Sequence, residues 1–359
     1  MFFDVKNRKL KIVCDDKIPY IEQCLRALTD DVVMKPGREI TADDVRDAHI
    51  LIVRTRTRCD APLLSGSSVF LVATATIGYD HLDTRWLESH GIAWANCPGC
   101  NASSVGQYVN SSLLQLQRQR GVDLKSSTLG IVGVGHVGSA VLRSVTEGKP
   151  GAPLGLRRIL LCDPPRQQAG DAAPEGYEWC SMERIREEAD IITLHTPLIP
   201  WGDNATWHLL DNRFFDGLQG RILINAARGG VVDERALLRA MDRGAVSDVV
   251  LDTWENEPHV DEELLRRAFI ATPHIAGYSA DGKANATRMT LRHVCRFFFR
   301  PMDFDIQPPA LPVDFRPSED AEERALQLYD PLTDTQRLKA RPEDFELQRS
   351  AYPLRREYV

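Results

Sequence analysis

Short apolar runs rich in β-branched residues recur over the first hundred positions: KIVC at 11–14, ILIVR at 50–54, FLVATA at 70–75 and IAWANC at 92–97, with helix-like stretches between them. This alternation predicts an α/β unit with a parallel sheet covered on both faces. At Asn101 the pattern changes to NASSVGQYVNSSLLQLQRQR, one long helix with Asn101 as its N-cap. Six further runs follow, TLGIVGV at 128–134, RRILLCD at 157–163, ADIITLHT at 189–196, RILINAA at 221–227, SDVVLDTW at 247–254 and FIATPH at 269–274. Six strands alternating with helices predict a Rossmann-type, doubly wound parallel sheet of the nucleotide-binding kind. Beyond residue 300 the periodicity decays into IQPPALPVDFRPSEDAEE and then two weaker amphipathic stretches, which reads as an appended element or an oligomer contact. The apolar segment RHVCRFFFRPM points to a homodimer.

At 359 residues the chain exceeds what one core usually sustains, so two domains are the minimum expected. A net charge of -7 offers no positive field for a phosphate backbone, so nucleic acid is excluded as a main partner. The sequence has no signal-peptide pattern and no apolar run of membrane-spanning length, which predicts a cytoplasmic protein with no membrane partner. Eight irregularly spaced cysteines suit buried thiols in a reducing compartment. The one pair with metal spacing, Cys97 and Cys100 in CPGC, lacks a second ligand pair, so no metal is expected.

Chemistry enters with Gly133-Val134-Gly135-His136-Val137-Gly138, which follows a strand and opens the helix SAVLRSV. In that context the first glycine permits a tight turn, the second admits the pyrophosphate and the third allows close helix packing. Asp163 ends the next strand, where a carboxylate accepts both ribose hydroxyls of NAD and repels the 2′-phosphate of NADP. NAD is therefore the expected cofactor. Asp163 lies thirty residues after Gly133 instead of the usual ~20, and GKPGAPLGLRR accounts for the excess as a loop insertion after a shortened helix.

Three residues after successive strands of this sheet suit hydride transfer at a carbon beside a carboxylate. His274, at the end of FIATPH, can take the hydroxyl proton. Glu257 in WENEP is the candidate to orient it, with Glu255 as the alternative. Arg228 in NAARGG sits at the carboxyl edge of the sheet, where its guanidinium can grip the substrate carboxylate.

Taken in order, GIVGVGHVG, CDPP, HTP, INAARGGVVDE, LDTWENEP and TPHIAGY resemble the D-isomer-specific 2-hydroxy-acid dehydrogenase family. Further motifs (VATATIGYDHLD, CPGCNASSV, LCDPPR, HIAGYSADGKA and the tail from ALQLYDPLTD to PLRREY) narrow the likeness and imply a phosphorylated hydroxy acid as substrate. By this resemblance Arg228 and Glu257 are active-site residues and His274 is the proton donor or acceptor. Thr196, Ala226, Ala227, Arg228, Asp252 and Gly277 would contact NAD, and Thr55, Thr76 and Tyr278 would contact substrate. The resemblance also implies three parts: a flavodoxin-like substrate domain at 1–100 and 277–300, the nucleotide domain at 101–276, and a small dimerisation element at 301–359.

The phosphate needs a basic site in an acidic protein. Arg54, Arg56 and Arg58 follow the strand ILIV, and their period of two would align them on one face if the strand continued. Arg54, beside Thr55, is the first choice. Two alternatives stay open on sequence alone: a phosphoglycerate-type or glyoxylate/hydroxypyruvate-type dehydrogenase, and a non-catalytic NAD-sensing co-repressor.

Overall fold

The structure, a computed structural model, describes residues 10–358. The chain folds into two compact units, one taking the chain through Asn101 and again Ala280–Ala310, the other Ala102–Ser279 and Leu311 onward. The sheet of the first contains β1 (Ile12–Asp15), β2 (Val32–Lys35), β3 (Ile50–Val53), β4 (Leu71–Thr74) and β5 (Ala93–Ala95). All pairs are parallel in the order β2-β1-β3-β4-β5, the flavodoxin-like arrangement. Its central strands are buried on both faces, which is why they read as unbroken apolar runs. Only β2 escapes the sequence pattern: at the sheet edge it buries Val32 alone and ends on Lys35.

The second sheet comprises β6 (Thr128–Val132), β7 (Arg158–Cys162), β8 (Ile191–Leu194), β9 (Arg221–Asn225), β10 (Val246–Leu251) and β11 (Ile270–Ala271), ordered β11-β10-β9-β8-β6-β7. A parallel bridge between Leu161 and Trp179 adds one more position beyond β7. The strand order therefore reverses between β6 and β8, the point at which doubly wound sheets bind nucleotides.

The long helix begins at Ala102, directly after Asn101, and runs to Arg120. It packs on the helix His136–Glu147 so closely that a Cβ at Gly106 would stand 3.0 Å from the Ala140 carbonyl. The latter helix ends at Gly148, φ 68, and the inserted loop follows.

The expected divisions shift. The crossings fall at 101/102 and 279/280, and the tail does not stand apart as 301–359: residues through Ala310 belong to the first unit and the remainder to the second. The reason is apolar burial, since Leu326, Tyr329, Leu338 and Phe345 of the tail join the cores of the nucleotide unit. Among the described residues no helix is long and apolar enough to cross a membrane.

Candidate active site

Each glycine of the GxGxxG turn meets a different constraint. Gly133 has φ 83, and a Cβ there would lie 2.8 Å from the backbone of His195. A Cβ at Gly138 would fall 2.0 Å from the Gly133 carbonyl oxygen, so close packing of helix on strand excludes any other residue. Gly135 faces open space, with nothing within 4 Å of its would-be Cβ. Turn, packing and open approach are the three properties a pyrophosphate cradle requires. Beside it, Thr196 Oγ1 and His195 Nδ1 are buried without a hydrogen-bond partner, polar atoms that fit a ligand at this edge. Burial also drives the His195 pKa far down, to about 3, so this imidazole is neutral.

Asp163 follows β7 as expected. One carboxylate oxygen accepts from Val134 N at 2.8 Å, and the other accepts from Arg166 N at 3.2 Å, capping the helix Pro164–Gln168. A carboxylate has further lone pairs for ribose hydroxyls, and these two bonds fix its orientation beside the glycine turn.

Three loops at the carboxyl ends of β9, β10 and β11 carry the remaining groups. After β9, Asn225 ties the turn through Ala226 and Ala227: its Oδ1 accepts from Ala227 N and its Nδ2 donates to the Arg228 carbonyl. Arg228 is exposed, with Nη1 donating to the Ala227 carbonyl at 2.8 Å. Gly229 is required behind it, because a Cβ would strike the Trp254 carbonyl at 1.9 Å.

After β10, the WENEP loop brings Glu257 Oε1 to 2.7 Å from His274 Nδ1. Both side chains are about one quarter exposed, 26% and 24%. Burial raises the Glu257 carboxyl, but the hydrogen bond and charge of His274, helped by Arg349, outweigh it and hold the group below the usual carboxylate range. The alternative partner, Glu255, is engaged elsewhere, with Oε1 2.9 Å from His208 Nε2.

His274 has φ 56, a left-handed conformation uncommon for a side chain of this size. The loop behind it is held by Asp252, 1% exposed, whose Oδ1 accepts from Thr272 Oγ1 and Ile275 N at 2.7 Å each and whose Oδ2 accepts from Ala276 N at 2.9 Å. Asp252, an expected cofactor contact, thus also holds the His274 loop. Tyr108 OH, 2.9 Å from Thr272 Oγ1, extends the network into the long helix. Tyr108 lies in none of the quoted motifs, and Thr272, although it opens TPHIAGY, is not singled out among them. Gly277 and Tyr278 continue the same loop, and Tyr278 packs edge-on against Tyr352.

The first unit holds the other expected residues. The strand β3 ends at Val53 and the chain turns, Thr57 N donating to the Arg54 carbonyl, so Arg54, Arg56 and Arg58 do not share a strand face. The turn is set by Thr57, whose buried hydroxyl donates to the Gly37 carbonyl at 2.7 Å. Arg54 pairs with the fully buried Asp15, Nε to Oδ2 3.1 Å, whereas Arg58 pairs with Asp60 at the surface. Thr55 is exposed, and Thr76 Oγ1 donates to the Gly78 carbonyl at 2.8 Å. Behind Thr76, Cys97 donates to the Thr74 and Ala286 carbonyls, and burial raises the Cys97 and Cys100 thiols to about 11 and about 12, which suits packing and not redox work.

Comparison with known proteins adds three findings. The sequence profile described as "D-isomer specific 2-hydroxyacid dehydrogenase, NAD binding domain" matches residues 102–276. The erythronate-4-phosphate dehydrogenase of Bacteroides thetaiotaomicron is 48% identical over 350 residues, covering 97% of each chain. Among solved structures, the TT0316 protein of Thermus thermophilus superposes with a TM-score of 0.63 at 26% identity, over 78% of this chain and 93% of its own. The holo form of Rhodotorula graminis D-mandelate dehydrogenase gives 0.69 at 20% identity, over 85% and 100%.

Proposed function

The chain belongs to the erythronate-4-phosphate dehydrogenases of the D-isomer specific 2-hydroxyacid dehydrogenase family, and from that membership we propose that it oxidises 4-phospho-D-erythronate to 2-oxo-3-hydroxy-4-phosphobutanoate, a step of pyridoxal 5′-phosphate (vitamin B6) biosynthesis. The single observation that carries the reading to this chain's own chemistry is the His274–Glu257 pair at 2.7 Å, in the same unit as an intact glycine cradle.

NAD, when bound at Gly133 to Gly138 and Asp163, supplies the hydride acceptor. His274 removes the proton of the C2 hydroxyl. With its Nδ1–H directed to Glu257, Nε2 is the accepting atom, and the ionised Glu257 stabilises the imidazolium that forms. Arg228 grips the C1 carboxylate and keeps C2 in line. Arg54 is assigned to the phosphate, with Thr55, Thr76 and Tyr278 as further substrate contacts. Thr196, Ala226, Ala227 and Gly277 line the nicotinamide half of the cofactor site.

Two broader assignments complete the proposal: a cytoplasmic protein, and a homodimer joined through the tail, where Leu347, Leu354 and Tyr358 are exposed. Sedimentation that gives a monomer at micromolar protein would remove the dimer. The activity itself is tested by NADH formation with 4-phospho-D-erythronate beside 3-phosphoglycerate. Preference for 3-phosphoglycerate would replace the substrate assignment, and the absence of turnover with any 2-hydroxy acid would return the protein to NAD sensing.

A further inference from the structure

The chemistry above leaves one densely bonded part of the second unit unused, the end of the chain. The tail runs beside the segment that follows His274, with a parallel bridge between Ser279 and Arg355. Arg355 is 8% exposed, a place where a guanidinium is tolerated when its N–H groups find acceptors. Nη1 donates to the carbonyls of Ile275 and Tyr278 at 3.1 and 2.9 Å, and Nη2 to those of Ala276 and Ser104 at 2.6 and 3.3 Å. Nε donates to Gln107 Oε1 at 2.9 Å, and the guanidinium lies 3.9 Å from the centroid of the Tyr329 ring. Two residues on, Glu357 is 1% exposed, its Oε1 2.8 Å from Ser104 Oγ and 2.5 Å from Ser279 Oγ.

The identity of the acceptors is what matters. Ile275 and Ala276 are the residues whose amides donate to Asp252. The two residues directly behind His274 are therefore gripped from both sides, their N–H groups by a buried carboxylate and their carbonyls by a buried guanidinium. His274 sits in the left-handed region, which a non-glycine residue occupies at a cost of order 1 kcal/mol and keeps only when its surroundings fix it.

We propose that Arg355 is a positioning residue for the acid–base centre: through the carbonyls of Ile275, Ala276 and Tyr278 it fixes the loop that carries His274, and Glu357 locks this C-terminal strap by tying Ser104 to Ser279. The proposal rests on the reading of His274 as the acid–base group. Arg355 acts chiefly on the chemical step, because the glycine cradle and Asp163 belong to other loops of the sheet and Gly277 is the one proposed cofactor contact on the loop that it holds.

The test uses the full-length protein with Arg355→Met, which keeps an unbranched stem without donors, and Arg355→Lys, which keeps the charge. Both are compared with wild type by thermal melting, NADH titration and the pH dependence of kcat and KM. A misplacement of about 1 Å lowers turnover by about 10²-fold, so Arg355→Met is expected to lose kcat on that scale while NADH affinity stays within about threefold. The acid limb of its kcat profile moves, and Arg355→Lys recovers part of the rate. A folded Arg355→Met with wild-type kcat overturns the proposal, as does a rate loss matched by an equal loss of NADH affinity with an unmoved pH limb. If Arg355→Met does not fold, Gln107→Met decides: it removes the acceptor that orients Nε, and a several-fold fall in kcat supports the strap whereas an unchanged kcat overturns it. His274→Asn is measured in parallel. An active His274→Asn sinks the acid–base reading itself, while an inactive one beside a fully active Arg355→Met sinks the strap alone.

Discussion

Glu257 Oε1 stands 2.7 Å from Nδ1 of His274, and the carboxyl is held below its ordinary range even though burial pushes it the other way. Glu257 is therefore ionised at neutral pH, as its proposed role requires. Replacing it by glutamine keeps an acceptor of the same shape and removes the charge that stabilises the imidazolium. Glu257→Gln is expected to lower kcat by about 10²-fold or more, within the range of a lost general acid–base contribution. The acid limb of the oxidation profile, which belongs to the pair as a unit, should move to lower pH. His274→Asn should lose the same contribution or more with NADH affinity unchanged. Steady-state kinetics across pH checks both, and an unmoved limb in Glu257→Gln would detach Glu257 from the mechanism.

The three glycines of the cradle predict three separable phenotypes. Gly138→Ala places a methyl 2.0 Å from the Gly133 carbonyl oxygen and should destabilise the unit. Gly133→Ala combines a positive φ with a 2.8 Å contact and should do likewise. Gly135→Ala meets nothing within 4 Å, so its melting temperature should match wild type while its Kd for NADH rises tenfold or more, on the order of 1.4 kcal/mol. Tight NADH binding by a normally folded Gly135→Ala would mean that the cofactor does not approach this turn.

Legibility in the sequence follows from how each feature is encoded. The central strands announce themselves because parallel strands buried on both faces must be continuously apolar, whereas the edge strand Ala93–Ala95, none of whose residues is buried, shows itself only through its apolar residues. The edge strand Val32–Lys35, three of whose four residues are only partly buried, carries no such constraint and cannot be read. The residues proposed to react are legible as candidates because short motifs hold them after successive strands. The sequence ranks Glu257 ahead of Glu255, but the physical reason lies outside the motif, in His208 reaching across to claim Glu255. The three arginines after β3 misled through periodicity, which holds only while a strand lasts; Thr57 bonding to Gly37 ends this one. Arg355 carries no local signal at all, because its partners Gln107, Ile275, Ala276 and Tyr278 come from distant parts of the chain.

The ion pair that Arg54 makes and the phosphate role proposed for it must be separated. Its ion pair with Asp15, a carboxylate with no exposed surface, means that Arg54→Ala leaves a buried charge behind, at a cost on the order of 1–3 kcal/mol. The same change should raise KM for the phosphorylated acid at least tenfold more than for an unphosphorylated analogue. Adding Asp15→Asn should restore part of the lost melting temperature without restoring KM. Equal KM losses for both substrates, or recovery of KM in the double variant, would remove Arg54 from the phosphate site and leave it a purely structural ion pair.

Glu234 opens the helix Glu234–Asp242 at the base of the loop that carries Glu255 and Glu257, and its Oε1 accepts from Glu255 N at 2.8 Å. Burial is the main cause that lifts its carboxyl from an ordinary value near 4.5 to about 7; the Glu255 amide opposes the rise, and the charges of Glu255, Asp261 and Glu257 add to it. The folded protein therefore binds this proton more tightly than the unfolded chain does. That contribution is complete below the unfolded value and is lost as pH rises through the folded one, so between about 4.5 and 7 stability falls by an amount on the order of 2–3 kcal/mol. Glu234→Gln keeps the acceptor for the Glu255 amide and abolishes the titration. Its melting temperature should equal that of wild type below pH 4 and exceed it by several degrees at pH 8, as a change of this size implies for a domain of this length. Melting curves that run parallel for the two proteins across this range would show that Glu234 ionises at no cost to the fold, and the WENEP loop would then have to be held by groups other than this buried acid.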